Sequence, residues 1–563
     1  KELVSLLSIS EYNDDVKKTP TAMQEVELAL KECGVGKFHL QLLFTTFIAF
    51  VAGVIVTNST PYILPVAECD LNMNLVQKGL LNASPYVGMI LVSVVGGFLT
   101  DTFGRKMFIV GGNLGVFVFT VISATSQTYQ LLIAAKFFEG NPTFHLQFKT
   151  HITKNTCEFT HSFFYSLILT WYFSFGFLFA VSFTPIVTLT SEFCHRGVRD
   201  RIMLLQTSFA AYSQIIAALL SWVILPNNWK TTYFNGALVL NTWNFYLLIM
   251  SLWSLLAAIL YMLLPESPKF YVTQRRYDEA REILTRIYRK NTGKPVETFK
   301  YIDLWKDKTK HAIDESPESE MTLREQLMAG FHNVKPMFHK PLALYLLLLC
   351  FMNFFTMIMY NVIRLWFPQL STIVEHYSVD GNRDLCVMLD EYTADQRTRT
   401  VSVDVNVTVT DVCVPAVSGT ETYINSVILG SICIIPFIVS GILVNKVGKK
   451  MLYTTCGLLT VGITLGLRWA NSRIAMVALF SSDAAISQTM TSLNQALIVE
   501  LFPTTTRSLA IGMLMTWGRI GSLVGNVLFP ILLDFGCVVP IYTLAATMIC
   551  ITSFSLVLPV KKK

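Results

Sequence analysis

Two stretches set glycine, an acid or its amide, and paired bases at the same offsets: Gly97-Phe-Leu-Thr-Asp101-Thr-Phe-Gly104-Arg105-Lys106 and Gly441-Ile-Leu-Val-Asn445-Lys-Val-Gly448-Lys449-Lys450. Glycine permits turns and close helix contacts that a Cβ forbids. An acid beside bases makes charge-assisted hydrogen bonds that can form and break. The chemistry is that of a latch, not of bond cleavage. Asp101 is expected to accept hydrogen bonds across a seam between helices, with Arg105 and Lys106 facing anionic headgroups or acidic side chains. Asn445 weakens the latch in the second copy. A second matched pair follows, Glu192-Phe-Cys-His-Arg-Gly-Val-Arg199 and Glu500-Leu-Phe-Pro-Thr-Thr-Thr-Arg507, with identical Glu-to-Arg spacing.

Ionisable side chains inside long apolar runs are costly and are functional candidates by default. They are Lys136, Glu139, Asp483 and Arg519, with Arg519 expected to pair with Asp483 or with an anionic group of a solute. Uncharged polar candidates for a cavity are Asn58, Gln206, Gln214, Asn353, Asn361, Asn425, Gln488 and Asn494, with Trp517 and Tyr212 as aromatic walls. Such residues also serve as packing hydrogen bonds between helices. The sequence carries no nucleotide-binding glycine loop, metal-ligand cluster or nucleophile constellation. Neither enzymatic activity nor a cofactor is expected.

These residues sit in a chain of 563 that is 52% hydrophobic and 15% charged, with mean hydropathy +0.49. That composition reads as a polytopic all-α membrane protein, with the lipid bilayer as its partner and no nucleic acid. Runs able to cross about 30 Å of hydrocarbon lie roughly over 38–63, 79–100, 107–126, 202–225, 242–264, 342–365, 422–444, 451–469, 474–499, 508–533 and 539–559, with a twelfth within 129–191. The bases Arg105, Lys106, Arg196, Arg199, Arg201, Lys449, Lys450, Arg507 and the stretch 269–310 fall on alternate loops, which the positive-inside rule makes cytoplasmic together with both termini.

The matched motifs divide the chain into six-helix halves, 38–268 and 341–560, with a cytoplasmic N-terminal segment 1–37, linker helices 269–340 and a tail 561–563. They also act as a ruler. Gly97 to Glu192 is 95 residues and Gly441 to Glu500 is 59, an excess of 36 in the first half. The fourth helix begins at Tyr129 and breaks after Gly140, and joining Gly140 to Phe177 restores it. Residues 141–176 are therefore read as an insertion of the kind a retained intron would add, the alternative being a genuine extra loop. In that alternative, 162–190 forms the span.

The acidic loop 370–421 is expected outside the cytoplasm. It holds Cys386 and Cys413, a candidate disulfide, and Asn406-Val-Thr408, an acceptor for N-glycosylation. Thr400–Thr410 alternates with period two and reads as a strand. Tyr277–Tyr288 has helical periodicity and reads as an amphipathic helix. The chain opens at Lys1 without a cleavable signal peptide. Its start is expected to be incomplete, and the first helix can serve as the insertion signal.

The motif at 97–106, its copy, and Pro265-Glu-Ser-Pro-Lys269 resemble the major facilitator superfamily, in particular relatives of sugar porters, organic-ion transporters and synaptic vesicle glycoproteins. Ala29-Leu-Lys-Glu-Cys33-Gly-Val-Gly36-Lys37-Phe38 and the position of the large loop look like the vesicle glycoprotein 2 group. The resemblance implies twelve transmembrane helices in two halves and secondary transport of a small organic solute by alternating access. A coupling ion and a site in the plasma membrane or a secretory vesicle are part of that expectation. The Asp101 latch would favour the outward-open state. Lys136 matches the basic residue of the family's fourth-helix motif. The first helix has no carboxylate where the vesicle glycoproteins carry two, which puts proton coupling in doubt and supports the alternative of a transport-silent vesicle glycoprotein acting in trafficking.

Overall fold

The computed structural model describes residues 22–139, 183–236, 238–305, 338–340, 342–377, 384–404, 419–502 and 504–557. Residues 141–176, Asn406 and Cys413 lie outside them. The side chains of residues 91–103, including Asp101, and those of Asn445 and Arg507 also lie outside the description. The chain forms two compact units, Lys1–Phe44 with Thr188–Met203 and Pro265–Glu318, and Thr45–Val187 with Leu204–Leu264 and Ser319–Lys563.

The helices of the larger unit begin with α2 (Lys37–Ala67, whose first eight residues belong to the smaller unit), α3 (Leu75–Phe103), α4 (Arg105–Ala124) and α5 (Tyr129–Glu139). Short α6 (Phe183–Glu192) precedes α7 (Arg196–Ile224), and a hairpin of β1 (Lys230–Tyr233) and β2 (Leu238–Asn241) leads into α8 (Thr242–Met262). After α11 (Leu342–Tyr377) come α12 (Leu385–Asp404), α13 (Thr420–Ile432), α14 (Ile434–Val447), α15 (Lys449–Gly466), α16 (Arg473–Leu501), α17 (Thr504–Asp534) and α18 (Val538–Ser555). Among the described residues seven helices are long and apolar enough to cross a membrane. α3, α7 and α16, each of 29 residues, are as long. α13 and α14 are one run broken at Cys433, where Pro436 cannot donate to the carbonyl four residues back.

The repeat read from sequence has a backbone counterpart. Gly104, between α3 and α4, has φ 96 and ψ 148, and Gly448, between α14 and α15, has φ 87 and ψ 149. Both lie in a region that side chains rarely adopt, so each hinge requires glycine. Beyond each hinge a lysine caps the end of a later helix. Lys106 donates to the Met262 carbonyl at 3.0 Å and Lys450 to that of Leu556 at 2.6 Å. A cation against terminal carbonyls answers both their unmet hydrogen bonds and the helix dipole.

Among the described residues apolar burial forms two cores. One joins Val51 and Ile63 of α2, Ala217 of α7 and Tyr246 and Leu247 of α8. The other joins Met359 and Trp366 of α11, Met490 of α16, Leu514 of α17 and Met548 of α18. α17 approaches α11 closely through Gly521, where a Cβ would stand 2.1 Å from the Phe354 carbonyl oxygen. Small residues permit such contact where lipid supplies no hydrophobic drive for association.

Two expectations are corrected. Residues 400–404 continue α12 as helix, not strand. Its first turns bury Leu385, Met388, Leu389 and Tyr392, and this anchorage overrides the period-two pattern downstream. Cys386 is bonded to Cys537, not to Cys413. Two contacts bring α12 to the turn before α18, Asp390 accepting from the Cys537 amide at 2.8 Å and Arg397 donating to the Asp534 carbonyl. Cys69 is also disulfide-bonded.

In the smaller unit α1 (Ala22–Cys33) packs on α9 (Pro268–Thr273) and α10 (Tyr277–Thr292). α10 realises the periodicity of Tyr277–Tyr288, with Ala280, Ile283, Leu284 and Ile287 buried. The Asn291 amide donates to the carbonyls of Cys33 and Gly34 and accepts from the Phe38 amide, which fixes the Cys33–Phe38 turn.

Candidate solute site and gate

Polar side chains gather at the middle of three long helices. Tyr86 lies eleven residues into α3, Arg519 fifteen into α17 and Arg364 thirteen from the end of α11, each ~16–23 Å from a helix end at ~1.5 Å per residue. The Tyr86 hydroxyl donates to Asn361 Oδ1 at 3.0 Å, and Arg364 Nη2 donates to both, at 3.1 and 2.9 Å. The Asn361 amide donates to the Ser522 hydroxyl at 2.7 Å. Arg364 also lies over the Tyr360 ring at 5.0 Å, and the Tyr360 hydroxyl accepts from Gln214. A cavity of about 20 Å³ opens beside it, lined by Asn58, Tyr62, Gln214, Arg364, Phe367 and Ser426. That is room for one water.

Of the sequence candidates, Asn58, Gln214 and Asn361 belong to this cluster. Arg519 stands beside it and donates to the Met89 carbonyl at 3.3 Å. It does not pair with Asp483. That carboxylate is fully buried and accepts from Thr464 of α15 at 2.8 Å and from Ser487 at 3.3 Å. Asn353 and Asn494 are 3.4 Å apart, and Asn353 also donates to the Leu514 carbonyl. These three tie α11, α15, α16 and α17 together. Gln206 is buried with neither amide atom bonded, and Trp517 is half-exposed, edge-on to Phe354. Arg364 was not among the candidates because it closes an otherwise uncharged run. The signal was there in Asn361-Val-Ile-Arg364, whose spacing puts amide and guanidinium on one helix face.

Lys136 and Glu139 pair with each other at 2.8 Å and are 0% and 1% exposed. The Ser59 hydroxyl accepts from Lys136 and the Ser123 hydroxyl donates to Glu139. Toward the α2–α3 turn a second buried pair joins Lys78 to Glu68 at 2.7 Å, and Lys78 donates to the Tyr392 hydroxyl at 3.0 Å. Tyr62 stacks on Tyr423. α2 and α3 are thereby joined to α12 and α13.

In the second motif copy Lys449 pairs with Glu500 at 2.9 Å, which links the Gly441–Lys450 and Glu500–Arg507 motifs directly. In the smaller unit Arg199 donates to the Ser191 and Cys194 carbonyls at the end of α6 and pairs with Glu27 at 2.5 Å, as does Lys269. Burial raises the Glu27 pKa, but the two cations outweigh it and hold the carboxyl below its usual value.

With this geometry in view, the chain can be set beside known proteins. The profile of the sugar (and other) transporter family matches residues 40–142 and 227–364, and that of the Major Facilitator Superfamily matches 415–563. The chain is 23% identical to human synaptic vesicle glycoprotein 2A, over 53% of this chain and 35% of that one. It is 26% identical to the niacin transporter NiaP of Acinetobacter baylyi, over 46% of this chain and 48% of that one. The chain thus spans only about a third to a half of the lengths of these relatives. Its fold is that of the E. coli xylose transporter XylE in a partially occluded inward-open conformation, with TM-score 0.58 at 12% identity, covering 93% of this chain and 100% of that one. Paired glycine hinges and both family matches agree: this chain has the major facilitator fold and resembles the sugar-porter and vesicle-glycoprotein transporters.

Proposed function

We infer that this protein is a secondary transporter that moves a small organic solute by alternating access between two six-helix halves, 38–268 and 341–560. The observation that carries the reading is the mid-span cluster. Tyr86 of the first half holds Asn361 and Arg364 of the second by hydrogen bonds that must break when the halves part. An ionisable group at this depth is costly and marks a solute or ion path by default. The relatives' names, sugar and niacin transporters among them, support a small organic solute as cargo.

In this reading the hinge loops and both termini are cytoplasmic, α12 lies on the opposite face, and Asn406 is glycosylated there. The α5 and α6 segments, 11 and 10 residues, together amount to one span of ~31 Å, and the family match stops at 142. Both facts support 141–176 as an insertion.

The test is counterflow in liposomes against a panel of sugars, organic anions and organic cations, with and without a pH gradient. Saturable uptake that Asp101→Ala abolishes is the expected result. No saturable flux for any class overturns the reading in favour of a trafficking glycoprotein, which the vesicle-glycoprotein similarity supports.

A further inference from the structure

We propose that the mid-span cluster is an anion site that takes the carboxylate of a small organic acid between Arg364 and Arg519. This rests on the transport reading and narrows its substrate class. Among the described residues the fully buried lysines have counter-ions, Lys136 with Glu139 and Lys78 with Glu68. No carboxylate among the described residues lies within ion-pairing distance of Arg364 or Arg519.

Arg364 donates to neutral oxygens, those of Tyr86 and Asn361, and lies over the Tyr360 ring, while its buried Nε has no hydrogen-bond partner. Arg519 is held by a backbone carbonyl. Tyr86 is within electrostatic reach of both guanidiniums. A guanidinium stays charged at every physiological pH and presents a planar fork that matches a carboxylate.

Two permanent cations at mid-membrane without a counter-ion make a field that favours an anion and rejects a cation. In this arrangement Tyr86 and Asn361 occupy the fork, and the space beside Arg364 admits one water. When α3 parts from α11 the Tyr86 bond is lost, and the carboxylate takes its place as a charge-assisted pair. Nearby, Gln214 Oε1 is buried without a partner and Asn58 lines the same space, so both can meet the neutral part of the solute.

The experiment uses the full chain in lipid nanodiscs. Binding of benzoate, succinate, benzamide and tetramethylammonium is followed by tryptophan fluorescence, separately from flux. Saturable binding of at least one carboxylate is expected, with benzamide and tetramethylammonium at least tenfold weaker. Arg364→Gln and Arg519→Gln should each weaken carboxylate binding at least tenfold. Arg364→Lys, which keeps the charge, should recover part of the loss and shows that the site still folds.

Equal binding of benzoate and benzamide, a preference for tetramethylammonium, unchanged affinity in Arg364→Gln, or no carboxylate binding would each overturn the proposal. Carboxylate binding without flux would leave it standing and remove the transport reading. Saturable flux of a neutral sugar without carboxylate binding would do the reverse.

Discussion

Lys136 and Glu139 give the sharpest energetic prediction. Their charged atoms are 2.8 Å apart and almost wholly buried, one turn apart on α5. At an effective dielectric of 20 their attraction is ~6 kcal/mol, most of which offsets the desolvation of two ions. Removing one partner leaves an uncompensated buried charge, at ~3–5 kcal/mol. Lys136→Met and Glu139→Leu should each lose about that much. The double variant restores neutrality and leaves chiefly the Ser59 and Ser123 hydroxyls without partners, so it should fall only ~1–3 kcal/mol below wild type. The coupling energy from the cycle is then at least ~3 kcal/mol. Reversible denaturation in mixed micelles, with size-exclusion profiles of all four proteins, measures it. Single variants within ~1 kcal/mol of wild type, or losses that simply add, would refute this account of the buried pair.

Four further outcomes follow from the same structure. Gly521→Ala should destabilise by ~1–3 kcal/mol through overpacking against Phe354, while Gly512→Ala, which meets nothing within 4 Å, should be neutral in the same unfolding assay. Gly104→Ala and Gly448→Ala should each cost ~1–3 kcal/mol because their backbone dihedrals are strained for any side chain, and equal stability of the two variants with wild type would contradict the hinge geometry. Non-reducing peptide mapping should recover Cys386 linked to Cys537, and a Cys386–Cys413 peptide would contradict the structure. Glu27 has a depressed pKa, so its stabilisation is fully present above its unfolded value near 4.5 and is lost as pH falls through the lower folded value. The stability gap between wild type and Glu27→Gln should be constant near neutral pH and close under acid; a gap that widens on acidification would reverse the sign.

Much of the architecture was legible because it rests on local rules. A bilayer demands long uncharged runs, and the two glycine-basic motifs mark where helices turn, so the repeat, the hinges and the membrane class follow from residue type and spacing alone. The amphipathic helix at Tyr277–Tyr288 was readable for the same reason, since its apolar stripe has helical period. Local pattern failed where a distant partner decides. The alternation at 400–404 yields to the anchorage of α12. Cys386 is equally compatible in sequence with Cys413 and Cys537, and only the seating of α12 beside the α17–α18 turn selects between them.

The site divides along the same line. Sequence determined that Arg519, Asp483, Lys136, Glu139, Asn361 and Asn353 stand at membrane depth, because one dimension suffices to measure depth along a helix. Which way each side chain faces, and what it meets, depends on helices hundreds of residues apart. Tertiary structure alone made Lys136 and Glu139 partners, turned Asp483 to Thr464, and engaged Asn353 in packing. It also left Arg364, beside Tyr86, and Arg519, at the Met89 carbonyl, without a counter-ion among the described residues. The reason is physical: a residue's burial cost is set by its own chemistry, but whether a counter-ion offsets that cost is set by which helices meet.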